Sequence, residues 1–188
     1  MTDSLARLRF DFTLEMGRSL AMPIAGAIAW GVAGIAALFL TQRNATYVLL
    51  FSTGAIFPFA LLLGRQLKEN ILSRANPLAR LMGLSVLMVN LLWALHLTLL
   101  VRDFEYFPLS LGIGLGLHWI VFTWIKGHHV GLVHALVRTG LVTALWWMIP
   151  DNRISAVAAG VVVAYLYSIV VLTRLPTAPT KPPAYGDE

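Results

Sequence analysis

"GLHWIVFTWIKGHHVGLVHALVR", residues 116–138, holds four of the chain's five histidines and one arginine in an otherwise apolar run. It turns about Gly127. Extended outwards to 107 and to 149, each arm is about 20 mostly apolar residues, the length a helix needs to cross a bilayer core of about 30 Å. The stretch therefore predicts two antiparallel membrane-spanning helices joined by a tight turn. Partners across such a hairpin have numbers summing to about 255, which sets Arg138 opposite residues 117–118.

The whole chain agrees with that beginning. Of 188 residues, 58% are hydrophobic and 12% charged, with a mean hydropathy of +0.75. A soluble domain carries about a quarter charged residues. The absence of cysteine excludes disulfides, iron–sulfur clusters, thiolate catalysis and cysteine-based zinc sites. A net charge of +5 raises the question of nucleic acid. On so apolar a chain the basic residues instead mark one face of a bilayer, and no nucleic-acid partner is expected.

Working outwards from the hairpin, six segments qualify as spans: about 20–41, 46–65, 79–101, 107–126, 129–149 and 153–173. The fold class is thus an all-α integral membrane protein, a six-helix bundle occupying residues 20–175. Asn76-Pro77 predicts a helix N-cap followed by proline at the first helical position, and Pro108 serves another helix start. Pro150 closes the fifth span, and Asp151 or Asn152 is placed to cap the sixth. The first span is too long for a secretory signal and no cleavage site follows it, so it is read as part of the mature chain.

Basic residues orient the bundle. With both termini cytoplasmic, the inner segments hold Arg7, Arg9, Arg18, Arg65, Lys68, Arg74, Arg80, Lys126, Arg174 and Lys181, against Arg43, Arg102 and Arg153 outside. Tyr47, Phe104, Tyr106, Trp146 and Trp147 then form an outer aromatic belt. Residues 1–19 are read as an interfacial amphipathic helix, with Leu5, Leu8, Phe12 and Met16 on one stripe and Ser4, Arg7, Asp11, Glu15 and Arg18 opposite. Residues 176–188, proline-rich and polar, are read as a disordered cytoplasmic tail. Small residues at four-residue spacing (Ala25, Ala29 and Ala33; Gly112 and Gly116; Ala156 and Gly160) predict close helix contacts within the bundle, and leave a homo-oligomeric face open.

All nine carboxylates fall outside the spans. The interior instead holds Asn90, His96, His118, His134 and Arg138, with Ser52, Thr53, Tyr165 and Tyr167 as weaker polar members. An intramembrane ionisable group is costly and marks a functional candidate. Arginine keeps its proton, so Arg138 needs carbonyls, water, a phenol or an anion. From the cytoplasmic end Asn90 lies about 16 Å deep and Arg138 about 13 Å. His118, Tyr165 and Trp30 reach the same layer, and His134 sits one turn from Arg138 on the same face. A positive cavity without carboxylates suits an anion or an acceptor-rich neutral molecule. The expected ligand-binding set is Arg138, His118, Asn90, His134, Tyr165 and Trp30.

Other chemistries fit less well. His128, His129 and His134 do not share one helical face, so no metal site is expected. His96 and His134 lie at unmatched depths for haem, and the glycines of "GIGLG" follow no strand, so no cofactor is expected. Thr53 or Ser52 with His118 would form a hydroxyl–imidazole pair for hydrolysing a lipid-like ester, with no carboxylate to orient the base.

"IFPFALLLGRQL" at 56–67, "NPLARLMGL" at 76–84 and "GLHWIVFTWI" at 116–125 resemble a family of small bacterial multi-pass inner-membrane proteins of unknown function. The likeness covers most of the chain in order. It departs at "FTW", 122–124, where that family's pattern has a proline and a tyrosine. It implies a bacterial inner-membrane location and supplies no activity. From the residues, the expected function is a small-molecule transporter or channel, with anions the leading class. The alternatives are an intramembrane hydrolase and a non-catalytic scaffold or partner subunit.

Overall fold

The structure, a computed structural model, describes residues 2–73 and 75–176, so all but the first residue of the tail 176–188 lies outside the described residues. Within them every regular element is a helix. In chain order these are α1 (Thr2–Met16), α2 (Ala21–Ala36), α3 (Gln42–Gly54), α4 (Ile56–Leu67), α5 (Pro77–Leu91), α6 (Trp93–Arg102), α7 (Phe107–Gly114), α8 (His118–Lys126), α9 (Val130–Met148) and α10 (Arg153–Arg174). Short 3-10 turns at Phe104–Tyr106 and Pro150–Asn152 lead into α7 and α10.

Four helical stretches are long and apolar enough to cross a membrane: Pro77–Arg102, Phe104–Lys126, Val130–Met148 and Pro150–Arg174. Two bent pairs bring the number to as many as six: α1 with α2, at 58°, and α3 with α4, at 43°. The segment 20–41 is not helical throughout, because α2 stops at Ala36 and the chain turns through residues 37–40. The segment 46–65 begins earlier, at Gln42, and bends at Ala55. Large apolar side chains such as Phe51, Leu84, Leu91, Val101 and Met148 face outwards, the arrangement expected of lipid-facing surfaces.

Helix α10 is the centre of the bundle and packs on α9, α2 and α7. Lipid tails are as apolar as leucine, so helices associate in a membrane through close packing. Small residues supply it. Ala25, Ala29 and Ala33 of α2 are buried, and a Cβ added at Gly34 would lie 2.7 Å from the Ala158 Cβ. At the α8–α9 hairpin, a Cβ at Gly131 would sit 2.1 Å from the Trp119 carbonyl oxygen, so only glycine admits that approach. The turn is a left-handed cap: Gly127 has φ 64°, and His128 N–H donates back to the Thr123 carbonyl.

Local caps follow the chemistry of their residues unevenly. Asn76 Oδ1 accepts from Leu78 N–H at 2.8 Å, with Pro77 behind it, as the Asn-Pro pair predicts. Neither Asp151 nor Asn152 caps α10 through a side chain; the 3-10 turn makes that entry instead. The first of these helices, α1, lays its stripe on protein: Leu5, Leu8, Phe12 and Met16 pack with Leu78, Val121 and Ile125 of α5 and α8. It is a strap across the end of the bundle, where the sequence pattern alone suggested a stripe held by lipid. Arg9 donates to the Trp124 carbonyl through Nε and Nη2, and Asn76 Nδ2 donates to the Leu8 carbonyl. The α1–α2 corner is clasped by Glu69, whose two carboxylate oxygens accept from Leu20 and Ala21 N–H at 2.7 and 2.9 Å.

Of the residues expected in an outer aromatic belt, Tyr47, Phe104, Tyr106 and Trp147 are exposed and Trp146 is buried. Its indole N–H donates to the Glu105 carbonyl, and Arg153, ion-paired with Glu105, lies over its ring.

Candidate functional site

The site begins with a break in a helix. Between α7 and α8, residues 115–117 leave the α-helical ladder: Gly116 N–H donates to the Ile113 carbonyl and Trp119 N–H to the Gly116 carbonyl. Both are i→i−3 bonds, which release the carbonyls of Gly112 and Leu115 that an unbroken helix would engage. Arg138 Nε donates to the freed Gly112 carbonyl at 2.6 Å. Gly116 is the space this needs: a Cβ there would lie 2.7 Å from Arg138 Cδ and 2.9 Å from Nε. The hairpin register of the sequence is thus met to within two residues.

Arg138 is completely buried. Its guanidinium carbon lies 5.6 Å from the centre of the Trp30 ring and 5.3 Å from that of Tyr165, so two aromatic faces flank the charge. Nη1 and Nη2 have no hydrogen-bond partner among the described residues. His134, one turn away, donates through Nδ1 to the Ala164 carbonyl at 3.0 Å and to Ser168 Oγ at 2.8 Å. A carbonyl only accepts, which places the proton on Nδ1. Its Nε2 has no hydrogen-bond partner among the described residues, and the ring stacks on Trp119 at 4.0 Å.

Two adjoining cavities approach this cluster from the α5 side. The larger, about 570 Å³, runs from Ser19, Glu69 and Arg80 inwards to His118 and Trp119. The smaller, about 310 Å³, is lined by Thr53, Asn90, Trp93, His118, Trp119 and Tyr165, among others. Of the six expected ligand-binding residues, the structure therefore puts His118, Asn90 and Tyr165 on a cavity wall. It puts Arg138, His134 and Trp30 together behind that wall. Asn90 is exposed and its amide donates to its own helix, at the Val86 carbonyl, 2.8 Å away, so it does not balance Arg138.

The hydroxyl–imidazole pair is not assembled. Thr53 Oγ1 donates to the Leu49 carbonyl at 2.7 Å and contacts that of Leu50 at 3.1 Å, and Ser52 Oγ donates to Leu49 at 3.2 Å. Both hydroxyls are engaged by their own helix, although Thr53 shares the smaller cavity with His118. His128 Nδ1 accepts from Val130 N–H at the start of α9. Among the described residues, no three His, Asp or Glu side chains are grouped to hold a metal ion.

Trp119 was not foreseen. It stacks on His134 and walls both cavities, so it is the partition between them and the buried charge. Its neighbour His118 drew attention by being ionisable; an indole next to it gives no such signal.

A family model described as a family of unknown function, DUF7010, matches residues 5–175. The chain belongs to that family. No curated protein and no solved structure matches it. In this DUF7010 member the match takes in the α7–α8 break, Arg138 and every cavity-lining residue named above.

Proposed function

We propose that the protein is a transporter or channel of the bacterial inner membrane, with six spans and both termini cytoplasmic, that holds a small anion or acceptor-rich solute at Arg138. The observation that carries this is the buried guanidinium with two unpartnered Nη atoms. Unsatisfied donors in a low-dielectric interior are costly, and a permanent cation more so. One carbonyl and two aromatic faces offset only part of that cost. An anion between Nη1 and Nη2 supplies the remainder through bidentate contacts. The His118–Trp119–Tyr165 wall then acts as the inner gate, and the loosened backbone at residues 115–117 is where it moves. In a six-crossing arrangement α2, about 24 Å long, makes the first crossing with α1 lying across the cytoplasmic end.

A scaffold role predicts a polar interior satisfied by its own groups, and the Nη atoms argue against it. Hydrolysis needs Thr53 or Ser52 to leave a helix carbonyl and reach His118, and no contact favours it. The test is thermal stabilisation of the purified protein across a panel of inorganic and small organic anions. At least one anion is expected to raise Tm in the wild type and not in Arg138→Gln, with Arg138→Lys intermediate because a point charge lacks the fork. Equal responses from wild type and Arg138→Gln would overturn the proposal.

A further inference from the structure

The larger cavity shares His118 and Trp119 with the wall in front of Arg138, but Arg138, His134, Trp30 and Tyr165 are not in its lining. Helix α4 packs on α2 and α3, whereas α5 packs on α8, α1 and α6, and the two helices make no substantial contact with each other. The cavity fills that gap. Two of its lining residues, Phe57 of α4 and Leu84 of α5, are themselves 43% and 63% exposed, so it opens sideways between those helices, towards the lipid. Its depth is lined by Phe12, Met16, Met22, Met82 and Phe122. Three of these are methionines, whose unbranched side chains adapt to a flexible guest.

The charged lining residues, Glu69 and Arg80, stand at the rim, and His118 lies at the inner end. Arg80 has no carboxylate partner among the described residues. The other charged rim group, Glu69, has both oxygens engaged by Leu20 and Ala21 N–H and presents no free carboxylate. Arg80 and Asn90, on the same helix, mark the rim of the larger cavity and the wall of the smaller. They are separated by about 15 Å of helix rise, close to half of a hydrocarbon core of about 30 Å.

We infer that this cavity binds a single-chain amphiphile with an anionic head, entering from the bilayer between α4 and α5. The head pairs with Arg80 at the rim, and the tail lies along the methionine-lined wall towards His118. The same head chemistry is offered by a free fatty acid and by a lysophospholipid phosphate, and the experiment separates the two.

The full chain is reconstituted in phosphatidylcholine nanodiscs and titrated with palmitate, palmitoyl-lysophosphatidate and hexadecanol, with bound ligand counted by native mass spectrometry. Saturable binding of one equivalent of either acid is expected, with hexadecanol weaker by about fivefold. Arg80→Gln should remove that preference. Gly83 lines the cavity and an added Cβ there meets nothing within 4 Å, so Gly83→Phe should fold and occlude the opening, lowering affinity about tenfold. Gly83→Leu, a smaller side chain at the same open position, provides a second blocking variant should Gly83→Phe lose stability. Absence of saturable binding, equal binding of hexadecanol, or wild-type affinity in a folded blocking variant would each overturn the inference.

Discussion

Gly116→Ala tests how the bundle makes room for its buried charge. The new methyl group would fall 2.7 Å from Arg138 Cδ, 2.9 Å from Nε and 3.2 Å from the Ile113 carbonyl oxygen. Arg138 must retreat, and the bond from Nε to Gly112 is lost or stretched. A hydrogen bond to a charged group is worth about 1.5–3 kcal/mol, and overpacking adds about 1–3 kcal/mol. The expected destabilisation is about 3 kcal/mol, or a fall in Tm of about 6–12 °C for a chain of this length. Gly140→Ala, on the same helix as Arg138 but with nothing within 4 Å of its added Cβ, should be neutral or gain up to about 1 kcal/mol from helix propensity. The decisive arm is a double-mutant cycle with Arg138→Ala. With the long side chain gone, Gly116→Ala has little to displace, so a coupling of about 2 kcal/mol is expected. The assay is unfolding in mixed detergent micelles followed by tryptophan fluorescence. Additive effects, with coupling near zero, would refute the view that Gly116 is small in order to admit Arg138.

Three further outcomes follow from named contacts. Glu69→Ala removes the acceptor for Leu20 and Ala21 N–H and should cost about 1–2 kcal/mol, read as a lower unfolding midpoint together with faster proteolysis at the α1–α2 corner. Lys68 ends α4 with φ 58°, so Lys68→Gly should raise stability by about 1 kcal/mol in the same unfolding assay. For topology, the chain has no cysteine of its own, so single cysteines at Asn44 and Asn152 should be labelled from outside intact cells and one at Ala75 should not; labelling of position 75 would reverse the orientation proposed above.

The helical class was legible because it depends on apolar length, which a sequence displays directly. So were Asn76-Pro77 and Gly127, where a local residue type dictates a local geometry. Hairpin register brought the 116–118 region to Arg138, where Gly116 now stands against its stem, but it did not point to Gly112 as the acceptor. What could not be read depended on which partner a face meets. The stripe of α1 has the same pattern whether lipid or α5 and α8 cover it. Asn90 lies at the right depth for Arg138, but α5 stands at the edge of the bundle, and depth says nothing about lateral distance. Trp146 looked like an interfacial residue because it is aromatic near a span end. It is buried in the core, against Tyr106 and beneath Arg153, with the Glu105 carbonyl accepting its N–H, contacts between distant residues.

The "GIGLG" glycines bring these levels together. Read as small residues they predict close packing, and they provide it: a Cβ at Gly112 would meet Val157 and Val142, one at Gly114 the His96 ring, and one at Gly116 the Arg138 stem. Their second effect is on the backbone. A run with glycine at every other position has weak helix propensity, so α7 gives way to i→i−3 bonding just where it passes α9. That break frees the Gly112 carbonyl, and among the described residues this carbonyl is the one hydrogen-bond acceptor for Arg138. Lengthening the ladder by replacing Gly114 and Gly116 together would therefore remove both the room for the guanidinium and its acceptor. Packing, helix break and charged site share one cause, which is why a buried arginine in this bundle needs glycines on the helix opposite.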